Sequence, residues 1–273
     1  MDAEPAEPDF GDLLARGWAL TWRNGVPLFQ TWAALALPAL ALDLAVSAAT
    51  GVATRDDLKA AFRAARYDLV FLYLASTLAS RWAGAVALAA TVVAANETLE
   101  GRPCDPSAAW TRFRGLFGAW FWTNLVYGAR VLVGYLLLVV PGIVMSIRWT
   151  LHSFAVLVEG RSGSDALDRS RQIVVPRLVT VLCAAWGSAA IATAVSYFAS
   201  TLAVLFTVAV AVVLRFTAGD AADPLGRAAA MLFALPVAVV DAAATAWSLI
   251  VVLITFRELA ARHPEAPETG YFL

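Results

Sequence analysis

The stretch from Leu116 to Val158, with Leu136-Leu-Leu-Val-Val-Pro-Gly-Ile-Val-Met-Ser-Ile-Arg148 at its middle, decides what kind of fold this chain can adopt. Its only formal charges are Arg130 and Arg148. As one helix it would run roughly 65 Å, about twice the hydrocarbon core of a bilayer. It must therefore break, and Pro141-Gly142 is where the sequence permits a break: proline cannot donate to the helical ladder, and glycine tolerates a reversed backbone. The expected form is a hairpin with members at 116–139 and 143–158, closed by Glu159-Gly160.

Outward from this hairpin lie further apolar runs at Leu28 to Ala49, Leu69 to Ala95, Leu178 to Phe216, and Ala230 to Phe256. In lipid the backbone must satisfy its own hydrogen bonds, so such runs read as helices. The run from Leu178 is too long for one span and is expected to divide near Ser196 to Thr201, leaving a short apolar segment at 202–214. Composition agrees: 60% of the residues are hydrophobic and 15% charged, well away from ordinary soluble domains. The predicted fold is all-α, a polytopic transmembrane bundle of about six spans with short amphipathic interfacial helices. It comprises an acidic tail at 1–9, one membrane domain at 10–260, and a short tail at 261–273.

The acidic start, Met1 to Asp9, lacks the basic region of a signal peptide, and none is expected. Eleven loop arginines fall on one side of the proposed spans and six basic residues on the other. By the positive-inside rule this places both termini in the cytoplasm of a multi-pass cell-membrane protein, with Asp9 and His263 inside and Asp57 and Asp220 outside. Several tryptophans mark span ends; Trp82, Trp186 and Trp247 fall deeper and read as packing residues.

Short charged helices introduce several spans. Acidic caps are expected at Asp9, Thr54-Arg-Asp-Asp57, Asp105-Pro106, Ser164-Asp165 and Asp223-Pro224, each before a segment with one apolar and one arginine-bearing face. These helices suit membrane lipids, or a protein partner on the cytoplasmic side. The net charge of −1 offers no basic field for nucleic acid. Cys104 and Cys183 are expected to be unpaired, and no metal or other cofactor is indicated.

The hairpin Val139-Val-Pro-Gly-Ile-Val-Met-Ser-Ile-Arg-Trp149, then Phe154-Ala-Val-Leu-Val-Glu-Gly160 and Asp165-Ala-Leu-Asp-Arg-Ser170, resembles a family signature. It is similar to the membrane domain that precedes the catalytic barrel in some glycerophosphoryl diester phosphodiesterases and also occurs alone. Glu100-Gly-Arg102 and the Asn124 region extend the resemblance over most of residues 10 to 260. The resemblance implies a stand-alone membrane module. The hydrolase activity does not carry over, because the spans leave no room among these residues for the barrel, and only His152 and His263 could stand for its histidines.

Candidate site residues are the ionisable groups inside the apolar runs: Asp43, Arg81, Arg130, Arg148 and Asp241, at estimated depths of roughly 8 to 18 Å from the outer span ends. Tyr127 lies three residues before Arg130, and His152 four after Arg148, so each pair shares a helix face. Arg–Asp pairing would make these groups bundle supports. Three arginines against two aspartates would leave one guanidinium for an anionic headgroup or substrate. No nucleophile elbow, zinc-protease, phosphate-loop or dinucleotide motif is present. The expected role is non-catalytic organisation of lipid or partner contacts, and the alternative is transport or binding of an anionic amphiphile or small anion. Asn96-Glu97 and Glu159 mark inner helix ends, where a solvated acid is expected.

Overall fold

The computed structural model describes residues 9–51, 55–218 and 222–262. Thr54 of the expected capping box, Asp220 and His263, and nearly all of both expected tails lie outside them. Among the described residues the chain is helical throughout, in the order α1 (Phe10–Arg23), α2 (Gly25–Thr50), α3 (Arg55–Arg63), α4 (Tyr67–Leu99), α5 (Pro106–Leu137), α6 (Val139–Arg148), α7 (His152–Glu159) and α8 (Gly163–Val174). A 3-10 turn at Val175–Arg177, α9 (Leu178–Leu182), a π turn at Cys183–Gly187, α10 (Ser188–Ala218) and α11 (Ala222–Arg262) follow.

Among the described residues, five helical stretches are long and apolar enough to cross a membrane: Gly25–Thr50, Tyr67–Leu99, Val139–Glu159, Gly163–Leu214 and Pro236–Arg262. The expected span at 116–139 is not in this set, because Trp120, Trp122, Asn124, Tyr127, Arg130 and Tyr135 dilute the hydropathy of α5. Helices α2 and α4 form one packed pair, α5 and α6 a second, and α10 and α11 a third; α1 lies against α11, and α4 touches both α5 and α11.

Helix α4 is the axis of the core. From Ala89 to Glu97 every residue is buried, and the run is mostly alanine and valine, so neighbouring helices approach it from all sides. Phe113 of α5, Phe154 to Leu157 of α7, Ile173 and Val174 of α8, and Ile250 to Phe256 of α11 complete this core. Outer faces are apolar too: Leu136, Val140, Phe198, Val204 and Leu205 are all more than half exposed. Such a surface suits lipid and is unfavourable in water.

The break in the long central run differs in detail from the expected one. Leu138 alone is extended, at φ −163° and ψ 143°, and α6 begins at Val139. Pro141 therefore sits in the first turn, where a missing N–H costs nothing. Gly142 permits close packing: a Cβ there would lie 2.6 Å from the Tyr135 ring. The second arm is the membrane-length stretch Val139–Glu159, made of two helices, α6 and α7, interrupted at Trp149–Leu151. Ser170 of α8 bridges this gap, accepting from the Leu151 N–H and donating to the Arg148 carbonyl, both at 3.1 Å.

The division expected near Ser196 to Thr201 is absent, since α10 runs unbroken through it. The Ser200 and Thr201 hydroxyls donate back to the carbonyls of Ser196 and Tyr197, each at 2.8 Å, so their polar groups are satisfied within the helix. The irregularity lies earlier, in the π turn, where Phe10 fills the space beside Gly187. Trp186 in that turn is 60% exposed and is not the packing residue expected; Trp82 does pack, edge-on to Trp120. Two entry helices also merge with their spans: 108–114 opens α5, and 225–230 lies within α11. Asp105 caps α5 as expected, its carboxylate accepting from the Ser107 N–H at 2.9 Å.

Candidate functional site

The α5–α6 hairpin continues into α7 in one antiparallel register, so residues placed symmetrically about Val139–Val140 meet. Gly134 approaches Met145, Arg130 reaches Trp149, and Tyr127 reaches His152. The Tyr127 and His152 rings stack with centroids 4.2 Å apart and planes 17° from parallel. His152 is buried; its Nδ1 lies 2.7 Å from the Trp149 carbonyl, which can only accept, so Nδ1 carries the proton. Its Nε2 lies 3.3 Å from the Ser153 hydroxyl and 3.3 Å from Asn124 Oδ1. Asn124 is oriented by its own amide, which donates to the Trp120 carbonyl at 2.8 Å.

Beside the buried His152 and its half-buried neighbours Tyr127 and Asn124 stands an exposed cation. The guanidinium carbon of Arg130 lies 5.8 Å from the centre of the Trp149 ring, within cation–π range. Among the described residues Arg130 has no carboxylate partner.

The other candidates do not join this group. Asp43 of α2 accepts from the hydroxyls of Ser76 at 2.8 Å and Thr77 at 3.3 Å on α4. Arg81, one turn beyond Thr77, points outward, as do Arg148 on α6 and Asp241 on α11. The expected Arg–Asp pairs are therefore replaced by a carboxylate–hydroxyl contact. Two hydroxyls one residue apart on α4 reach Asp43 without bringing a second charge into the helix pair.

The buried ionic network lies elsewhere, at the end of the bundle where α4, α5 and α11 meet. Asn96 is 1% exposed and Glu97 6%, so Glu97 is not a solvated helix-end acid; the first turns of α5 and the end of α11 enclose both residues. Glu97 Oε1 stands 3.4 Å from Arg112 Nη1 and 3.8 Å from Arg102 Nη2. Glu100 pairs with Arg102 and, at 3.6 Å, with Arg257. Arg257 donates to Asn96 Oδ1 at 2.9 Å, and the Asn96 amide donates to Glu100 at 2.8 Å. Arg16 of α1 pairs with Glu258. Glu159, exposed as expected, holds Arg161 at 2.9 Å and the buried Arg169 at 3.1 Å. The available sequence signal was an acid directly after an unbroken run of small residues, with arginines at the starts and ends of other helices.

Two cavities flank the α1–α2 corner. One, about 600 Å³, is apolar and lined by Trp18, Trp22, Ile191, Val195, Val240 and Trp247. The other, about 690 Å³, is polar, between the α1–α2 corner and the α4–α5 connection, with Arg23, Asn24, Thr98, Arg102 and Cys104 in its wall. Burial pushes the Cys104 thiol pKa up, and the charges of Glu97 and Asp105 add to this, so the thiol is a poor nucleophile. Both cysteines are free.

No family model, no curated protein and no solved structure matches the chain.

Proposed function

We propose that this is a multi-pass membrane protein that binds an anionic amphiphile on the α5–α6 hairpin, with Arg130 as the headgroup contact. The observation that carries the reading is an exposed Arg130 with no acidic partner among the described residues, held against Trp149 beside the buried His152 and the half-buried Tyr127 and Asn124. A guanidinium among apolar helices needs an anion, and a lipid phosphate or carboxylate can meet it with two parallel hydrogen bonds. Trp149 supplies an apolar shelf for the adjoining chain. Arg81 and Arg148, exposed and likewise without carboxylate partners among the described residues, extend the same demand along the outer surface. Binding without a catalytic step accounts for these features.

Six crossings, with α5 as the sixth, and both termini in the cytoplasm complete the proposal; the antiparallel packing of α5 on α6 supports this count. That the Pro-Gly, Glu-Gly and Ala-Leu-Asp-Arg-Ser segments meet around α6, α7 and α8 supports reading the chain as a stand-alone module of the phosphodiesterase-associated type. Native mass spectrometry of the purified protein tests the binding. Retained anionic lipid that falls on Arg130→Gln, by about tenfold for a lost charged hydrogen bond, supports it. Retention unchanged by that substitution overturns it. Labelling of single cysteines placed at Asp57 and His263, in a chain lacking Cys104 and Cys183, tests the topology.

A further inference from the structure

We infer that the polar cleft at the α1–α2 corner is a second site, for a phosphate group, distinct from the Arg130 surface. Arg23 and Arg102 stand in its wall, and no carboxylate side chain lines it. Arg102 is engaged by Glu97 and Glu100, which fixes its position. Arg23 has no ion-pair partner among the described residues, so its charge is available to a ligand. A fixed guanidinium and an available one in the wall of one cleft are suited to the several acceptor oxygens of a phosphate.

The surroundings place the cleft at headgroup depth. On the other flank of the same corner, Trp18 and Trp22 stack at 5.8 Å, are 58% and 78% exposed, and border the apolar cavity. Exposed tryptophans on a helix lying over an apolar groove belong at the membrane–water boundary. The corner thus divides an apolar flank from a cationic one. A phosphate in the cleft can come from a phospholipid headgroup or from a free phosphate in the adjoining water.

The test titrates the detergent-solubilised full chain with inorganic phosphate by calorimetry. In parallel it measures retention of phosphatidylglycerol against phosphatidylcholine by native mass spectrometry from mixed nanodiscs. Arg23→Gln should weaken binding in at least one arm by about tenfold, with Arg23→Lys intermediate; Arg130→Gln should leave the phosphate titration unchanged and, in the lipid arm, remove a separate retained lipid, so that its loss adds to that of Arg23→Gln. Because Arg23 takes no ion pair among the described residues, the melting temperature without ligand should stay nearly unchanged. An effect confined to the lipid arm identifies a headgroup, and one confined to the phosphate arm a soluble ligand. Binding in neither arm, or binding indifferent to Arg23→Gln, overturns the site. Loss on Arg130→Gln alone upholds the hairpin site and overturns this one.

Discussion

Arg169 Nε stands 3.1 Å from both carboxylate oxygens of Glu159, and the arginine is only 6% exposed. Two helices separated by a three-residue turn are thereby tied, and Gly160 in the left-handed region, φ 72°, lets the chain leave α7 toward that contact. Glu159→Gln should weaken the charge pairing of a buried cation and lower stability by about 1 to 3 kcal/mol. Adding Arg169→Met to it should recover part of the loss, because the buried charge is then gone. Thermal unfolding of the three proteins in one detergent checks both statements; equal stability of Glu159→Gln and the parent would remove the pair from the framework.

Gly142 and Pro141 should separate sharply on substitution. A methyl at Gly142 meets the Tyr135 ring at 2.6 Å and its backbone nitrogen at 2.9 Å, so the hairpin must open, at a cost of about 1 to 3 kcal/mol. Pro141 stands in the first turn of α6, where Ala is readily accommodated. Melting temperatures should fall for Gly142→Ala and barely move for Pro141→Ala. The reverse order would place the turn at Pro141 rather than at Leu138.

These two residues also show what the sequence could and could not reveal. A 43-residue apolar run had to break, because bilayer thickness is a fixed ruler, and Pro-Gly located the break to within a few residues. That the extended residue is Leu138, and that glycine serves packing rather than reversal, depends on Tyr135 across the hairpin. The unbroken α10 was hidden for a related reason: length argued for division, while the back-bonded hydroxyls that let it continue are a property of the formed helix. In the candidate site, the spacings of Tyr127 to Arg130 and Arg148 to His152 marked faces of single helices. The stacking of Tyr127 on His152 came from the register between them. Glu97 was misread because burial at a helix end is decided by other elements, here α5 and α11.

The α5 cap gives a pH dependence of known sign. Hydrogen bonds from the Ser107 N–H and hydroxyl hold the Asp105 pKa below its ordinary value of about 3.9. A depressed folded-state pKa means the unfolded chain takes up the proton first. The stabilisation is therefore complete above the unfolded value and declines as pH falls through it toward the folded one. Asp105→Asn should keep the cap but lose this contribution to the acid slope. Melting profiles of the two proteins between pH 3 and 6, values chosen to bracket the unfolded pKa of about 3.9, should converge at the acid end. Parallel profiles throughout would exclude Asp105 as a contributor.

Ser170 is the residue on which the position of His152 depends most directly. The chain is interrupted at Trp149–Leu151, and one buried hydroxyl satisfies the Leu151 N–H and the Arg148 carbonyl from opposite sides of the gap. Ser170→Ala leaves the buried Leu151 N–H and the partly buried Arg148 carbonyl without this hydroxyl, at a cost of about 1 to 3 kcal/mol. The loss is local before it is global. The Leu151 amide should exchange hydrogen faster, whereas the His152 amide, which donates to the Trp149 carbonyl at 3.1 Å, should change less. If the gap relaxes, the Tyr127–His152 stack and the Trp149 ring that supports Arg130 shift with it. Ser170→Ala should then weaken lipid retention as well, although Ser170 lies on α8, away from the ligand contact. Slow exchange at Leu151 in the variant would show that the break is held by its own turn and that Ser170 merely fills space.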